Sequence, residues 1–146
     1  MNKLEYIPGD LVMVKKSALQ FAKDKIFKVI SSLSGGFLKV VMLNDSSTTY
    51  SISNNAIRPI PLTPEILEKN GWKRNGGQYS FTYKPCAGGK VELIGFFIEM
   101  FKDVHDMLKH RYFQITHKNK VICGCFYVHE LQHLLFGLGI NHEMEV

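Results

Sequence analysis

Along the first sixty residues, short apolar runs alternate with turn chemistry. Asp10-Leu11-Val12-Met13-Val14-Lys15, Lys25 to Ile30, Phe37 to Leu43 and Thr49 to Ser53 are rich in Val, Ile, Phe and Leu. Gly9, Ser34-Gly35-Gly36 and Asn44-Asp45-Ser46-Ser47 punctuate them with residues that favour turns. The pattern predicts four or five short strands. A set this small cannot build a sandwich, so closing the strands into a little β-barrel is the expected way to remove exposed edges. Pro59-Ile60-Pro61-Leu62-Thr63-Pro64 then interrupts the pattern. Each proline fixes its own φ and pushes the residue before it toward extended geometry, which makes a stiff connector. It divides the chain into 1–62 and 63–146.

After the connector, Thr63 is placed to cap a helix, Pro64 suits its first position, and Glu65 adds a favourable charge to the first turn. A short helix from Pro64 to Asn70 follows, stopped by Gly71, with Trp72 expected in the core. Gln78 to Tyr83 and Val91 to Phe97 alternate as strands that can pair as a hairpin around Cys86-Ala87-Gly88-Gly89. Phe97, Phe101, Val104 and Leu108 recur at helical spacing, which predicts a helix from Glu99 to His110, although the run leading into it is β-like. Arg111 to His117 alternates again, Lys118-Asn119-Lys120 turns, and Val121 to Phe126 makes a last strand or a buried lead-in. A final helix covers Val128 to Leu138, ended by Gly137 and Gly139. The predicted class is α+β: a small N-terminal β-barrel, then an α/β segment ending in an amphipathic helix.

With 146 residues, 45% of them apolar and 21% charged, the chain holds one compact domain or two small ones, and a long multidomain enzyme is excluded. Eighteen Lys and Arg against thirteen Asp and Glu give a net charge of +5. The excess is uneven: residues 1–62 and 63–128 each carry +4, and the last eighteen carry −3. A basic body favours anionic partners. Lys15, Lys16, Lys25, Lys28, Lys39 and Arg58 lie on or beside the predicted strands, with Phe21, Phe27, Phe37 and Tyr50 interleaved. Such a surface can contact phosphates and stack bases, so these six cations are the candidate ligand-binding residues for a nucleic acid or nucleotide. Alternation also puts lysines outward on any soluble sheet, where they blunt edge pairing. Binding of a host protein or self-association therefore stands beside the anionic ligand. No apolar run reaches the roughly 18 residues of a membrane span, and the start lacks a secretory stretch, so no membrane partner is expected and the cytoplasm is the expected compartment.

The chemical motif is His129-Glu130-Leu131-Gln132-His133, which fits the zincin pattern H-E-x-x-H. In that pattern two histidines one turn apart hold zinc and the adjacent glutamate activates its water. At about 100° per residue, Val128, Leu131, Leu135 and Leu138 fall together and the two histidines fall nearly opposite, which predicts that they lie outside the core. The metzincin extension needs Gly and His at positions 136 and 139, where this chain has Phe136 and Gly139. A third ligand would have to come from His142, His117, Glu143 or Glu145. The zinc alternative is thus Glu130 as base with His129, His133 and His142 as ligands, set against a non-enzymatic protein without cofactor. Cys86, Cys123 and Cys125 are an odd number, and Cys123-Gly124-Cys125 is too tightly spaced to bridge easily, so reduced thiols are expected. A Cys2His2 metal site is not favoured, since a buried strand often carries Cys as a small apolar residue. Phosphate-loop and serine-elbow motifs are absent.

The order from Tyr6 to Ile60, with Gly9-Asp10 opening a strand and short meandering strands after a variable loop, is similar to small barrels of the Tudor and KOW kind. Separately, Ile60-Pro61-Leu62-Thr63-Pro64-Glu65-Ile66-Leu67-Glu68-Lys69-Asn70-Gly71-Trp72 and Tyr127-Val128-His129-Glu130-Leu131-Gln132-His133-Leu134-Leu135-Phe136 resemble segments of small proteins from phages and mobile elements of gut bacteria. Endings in that family vary at the positions of Glu130 and His133, which weighs against zinc. The family carries no established activity, so the resemblance implies origin and architecture rather than mechanism; within that origin the expectation is a non-enzymatic binding protein, for instance one that captures a nucleotide signal or blocks a host factor in counter-defence.

Overall fold

A computed structural model describes residues 6–14, 25–33, 35–83, 90–101 and 109–146. Lys15, Lys16, Phe21, Cys86 and His105 lie outside the described residues. The chain divides into two compact units, Met1–Ile60 and Pro61–Val146.

The first unit is an antiparallel sheet of β1 (Leu11–Val14), β2 (Ile26–Leu33), β3 (Phe37–Met42), β4 (Asp45–Ser53) and β5 (Ile57–Pro59). A 3-10 turn, Asn54–Ala56, leads into β5, with the Ser53 side chain accepting from the Asn55 N–H. The order across the sheet is β4-β3-β2-β1-β5. Inward positions build one cluster of Tyr6, Val12, Val14, Phe27, Val29, Leu38, Val40, Ile52 and Ile57. Phe27 meets Tyr50 edge-on, with ring centroids 6.0 Å apart.

The second unit begins with α1 (Pro64–Lys69), where the Thr63 hydroxyl accepts from the Ile66 N–H at 3.3 Å. It continues as a meander of β6 (Lys73–Asn75), β7 (Gln78–Tyr83), β8 (Val91–Phe101), β9 (Lys109–His117) and β10 (Lys120–Cys125), then α2 (Val128–Gly137). Neighbours in sequence are neighbours in the sheet. Lys118 and Asn119 both take positive φ, 52° and 64°, the signature of a tight two-residue hairpin turn between β9 and β10. Trp72 stacks on Phe81 at 5.2 Å and meets Phe113 edge-on at 5.3 Å. Phe113 also contacts Tyr79 and Phe97, so an aromatic core fills one face of this sheet. Val128, Leu131 and Leu135 are the buried apolar side chains of α2.

Two expectations are corrected. The α+β class with an N-terminal barrel gives way to a mostly β protein of two five-stranded antiparallel sheets. Among the described residues the edge strands β4 and β5 of the first sheet lie at opposite ends of its order and do not pair, so no closed barrel forms there. Closure depends on non-local pairing, and local alternation carries no information about it. The helix from Glu99 to His110 is corrected at both ends: Glu99 to Phe101 extend β8, and Lys109 and His110 open β9, paired Glu99↔Arg111, Met100↔His110 and Phe101↔Lys109, while 102–108 lie outside the described residues. β7 pairs only with Val91 to Phe96, and the extension from Phe97 to Phe101 is paired with β9; positions four apart, such as 97 and 101, share a face in a strand as well as in a helix, so that spacing fits both.

Candidate functional site

Period-two alternation decides which cations of the first sheet share a face. Phe27 and Val29 on β2, Leu38 and Val40 on β3, and Ile57 on β5 point into the core cluster. Lys28, Lys39 and Arg58 are their immediate neighbours along the strands and therefore belong to the opposite face. Pairing agrees. Lys28 lies opposite Leu11 and Val41, which are buried on this face outside the core cluster, Lys39 opposite Ser31 and Ser51, and Arg58 opposite Met13. The Arg58 guanidinium reaches the Met13 Sδ at 3.8 Å. Lys39 and Arg58 are exposed and Lys28 is half-buried.

Lys25 is exposed just ahead of β2 and has no register partner in the ladder. Of the interleaved aromatics, Phe27 is fully buried and Tyr50 packs against it, so neither is a stacking platform. Phe37 is different. It stands two residues from Lys39 on the same face, opposite Leu33 and Ser53, and is 44% exposed. The face thus combines three cations, serine hydroxyls and one open aromatic ring.

In the second unit the H-E-x-x-H residues have structural occupations. The Glu130 Oε1 accepts from the Phe126 and Tyr127 N–H groups, both at 3.1 Å, satisfying backbone donors at the start of α2. A carboxylate turned onto its own helix terminus is poorly placed to activate a metal-bound water. His129 is 2% exposed, which corrects the expectation that it lies outside the core. Its ring stacks on Tyr127 at 5.9 Å and meets His133 edge-on at 5.5 Å. The buried arc of α2 is wider than its apolar stripe because Gln132 is buried too, donating to the His142 carbonyl at 3.0 Å and holding the chain beyond the helix. The His142 ring lies edge-on to Phe136 at 5.1 Å. Glu145 is held by its backbone: Asn70 donates to its carbonyl at 2.7 Å and accepts from its N–H at 2.8 Å. Among the described residues no three His, Cys, Asp or Glu side chains gather as a metal-holding group, so His129 and His133 find no third ligand there.

Burial, reinforced by the neighbouring His133, holds the His129 imidazole down at about 4. The unfolded chain, with His129 near its ordinary value of about 6.5, takes up the proton first as pH falls. Its contribution to stability is therefore complete above about pH 6.5 and is lost as pH drops toward 4. The slope is at most about 1.4 kcal/mol per pH unit. Urea denaturation at a series of pH values is expected to show this loss, and His129→Gln is expected to flatten it; an unchanged profile in the variant would assign the loss to other groups.

Three features were not foreseen from sequence: the structural role of Gln132, the clamp by Asn70, and the close approach of Cys123 to Cys125. A glutamate three residues into a helix is a capping signal, and that reading of Glu130 was open in the sequence. No helix is long and apolar enough to cross a membrane among the described residues. Comparison of the chain with protein-family models, with curated proteins and with solved structures gives no match.

Proposed function

We propose that the outer face of the first sheet binds an anionic ligand, and that a single-stranded nucleic acid is the occupant its chemistry fits best. The observation that carries this is the shared face of Lys28, Lys39 and Arg58 beside the exposed ring of Phe37. Lysine and arginine neutralise backbone phosphates irrespective of sequence, and an open phenyl ring offers a stacking surface to any base. Serines opposite Lys39 and Phe37 add neutral donors for phosphate or sugar oxygens. The binding is non-enzymatic. Coming from a phage or mobile element, as the junction and ending words imply, such a protein would act on nucleic-acid or nucleotide intermediates of a host defence.

The test is fluorescence anisotropy with a labelled single-stranded oligonucleotide, alongside a mononucleotide competitor. Phe37→Ala is expected to weaken oligonucleotide binding roughly tenfold, within the about 1–3 kcal/mol of one base–aromatic contact, while leaving the salt dependence intact. Tighter binding of the mononucleotide than of the oligonucleotide would redirect the proposal to a nucleotide signal. Absence of binding to both would remove it.

A further inference from the structure

Two thiols on β10 meet beside the core of the second unit, apart from the nucleic-acid face. Cys123 and Cys125 pair with Ile115 and Phe113 of β9, so they share the face that carries the aromatic core. The ladder shifts register between Val121 and Cys123, leaving Ile122 as the extra residue of a bulge. Their sulfurs lie 3.7 Å apart, within hydrogen-bonding distance. Cys125 is fully buried and Cys123 is partly open. Between them, Gly124 is held small from the other face: a Cβ there would sit 3.0 Å from two atoms of the Tyr112 ring.

We propose that Cys123 and Cys125 form a thiol–disulfide exchange site for disulfide substrates, with the open Cys123 as the attacking thiol and the buried Cys125 as the resolving one. The Cys123 thiolate attacks one sulfur of the substrate disulfide. That S–S bond breaks, a mixed disulfide forms on Cys123, and the first substrate thiolate leaves. Cys125 then gives up its proton to that thiolate and its Sγ attacks the Cys123 Sγ. The mixed disulfide breaks, the Cys123–Cys125 bond forms, and the second substrate thiolate departs. Two electrons pass from the dithiol to the substrate, so no further oxidant is needed. Residues two apart in a strand have Cα atoms about 6.7 Å apart, at the upper limit of about 6.8 Å for a disulfide, so the bridged form is strained and readily reversed.

The electrostatics divide the roles in the same sense. A hydrogen bond from Cys125 brings the Cys123 thiol down to about 7, against opposing effects of burial and of Glu130 on α2. The same hydrogen bond, with burial next, pushes Cys125 far above the thiol range. The proton therefore resides on the buried sulfur and the nucleophile on the accessible one.

The test exposes the full chain to oxidised glutathione, quenches with a maleimide, and maps the products by mass spectrometry. A Cys123–Cys125 bridge, reversed by excess reduced glutathione, is expected in the wild type. Cys125→Ser is expected to trap glutathione on Cys123, and Cys123→Ser to leave Cys125 unmodified. Iodoacetamide alkylation of Cys123 is expected to titrate near 7 in the wild type and to move up toward the ordinary thiol range in Cys125→Ser, with Trp72 fluorescence confirming that each variant is folded. A stable glutathione adduct on wild-type Cys123, no reaction at either thiol, or an alkylation profile unmoved by Cys125→Ser would overturn the proposal.

Discussion

Gly95→Ala is expected to lower the stability of the second unit by roughly 3 kcal/mol, at the upper end of what overpacking a tight core costs. A Cβ on Gly95 would fall 1.7 Å from the Phe113 Cζ and 2.2 Å and 2.7 Å from its two Cε atoms. The ring cannot step aside. Phe113 is fully buried and is held by Trp72 at 5.3 Å, Phe97 at 5.1 Å and Tyr79 at 6.2 Å. Glycine at 95 is thus the hollow in β8 over which a β9 side chain lies. Relief follows from the same geometry: Gly95→Ala combined with Phe113→Leu is expected to be less destabilised than the two single effects added together, because the pair is in contact. Urea denaturation followed by fluorescence of the single tryptophan, Trp72, reads this unit directly. An unchanged midpoint in Gly95→Ala would contradict the packing described for β8 and β9.

Reversing Lys28, Lys39 and Arg58 to Glu together is expected to weaken single-stranded nucleic-acid binding by roughly 100-fold or more at low salt. Each lost phosphate contact on a solvated face is worth about 1 kcal/mol, and the three new carboxylates add repulsion that reaches about one Debye length, roughly 10 Å at 0.1 M salt. The control reverses Lys73, Arg74 and Lys120, which are exposed and belong to the second unit. That variant changes the net charge by the same amount, so a general electrostatic attraction would fall in both and a face-specific one only in the first. Five of the six positions are exposed; Lys28 is half-buried opposite the buried Leu11 and Val41, so far-UV circular dichroism and urea denaturation of the variant accompany the binding measurement.

Local chemistry was legible in the sequence. The Thr63 cap, the start of α1 at Pro64 and the start of α2 at Val128 each depend on residues within one turn of the feature, and burial of Trp72 follows from its being a large apolar side chain. The strands of the first unit were legible for the same reason, since alternation is a property of neighbouring positions. Closure was not, because whether β4 meets β5 depends on how much the sheet curls, and the bulges that set this, such as the shift between Val29 and Ser31, have no local signature. The end of β8 misled because Phe97 and Phe101, four positions apart, share a face in a strand as they would in a helix. His129 misled differently. An imidazole was placed with the polar face of α2, yet Tyr127 stacks over it and Gln132 beside it is buried as well.

For the candidate site, alternation could assign cations to the surface, and only the register could assign Lys28, Lys39 and Arg58 to one surface. The zincin motif shows the reverse case. Five residues matched a pattern, while the Glu130 carboxylate was committed to the helix start. The tight spacing of Cys123 and Cys125 argues against easy bridging, and the bulge beside Cys123 accompanies a sulfur–sulfur contact that spacing alone does not foretell.

The central claim is that phosphates are neutralised by this particular face of the first sheet. The most direct measurement is the salt dependence of oligonucleotide affinity for the wild type and for the Lys28→Glu, Lys39→Glu, Arg58→Glu variant. Three phosphate contacts on a single strand predict a slope of log K against log salt of about −2, nearly abolished in the variant. Binding that ignores salt, or a slope that survives the triple reversal, would contradict it.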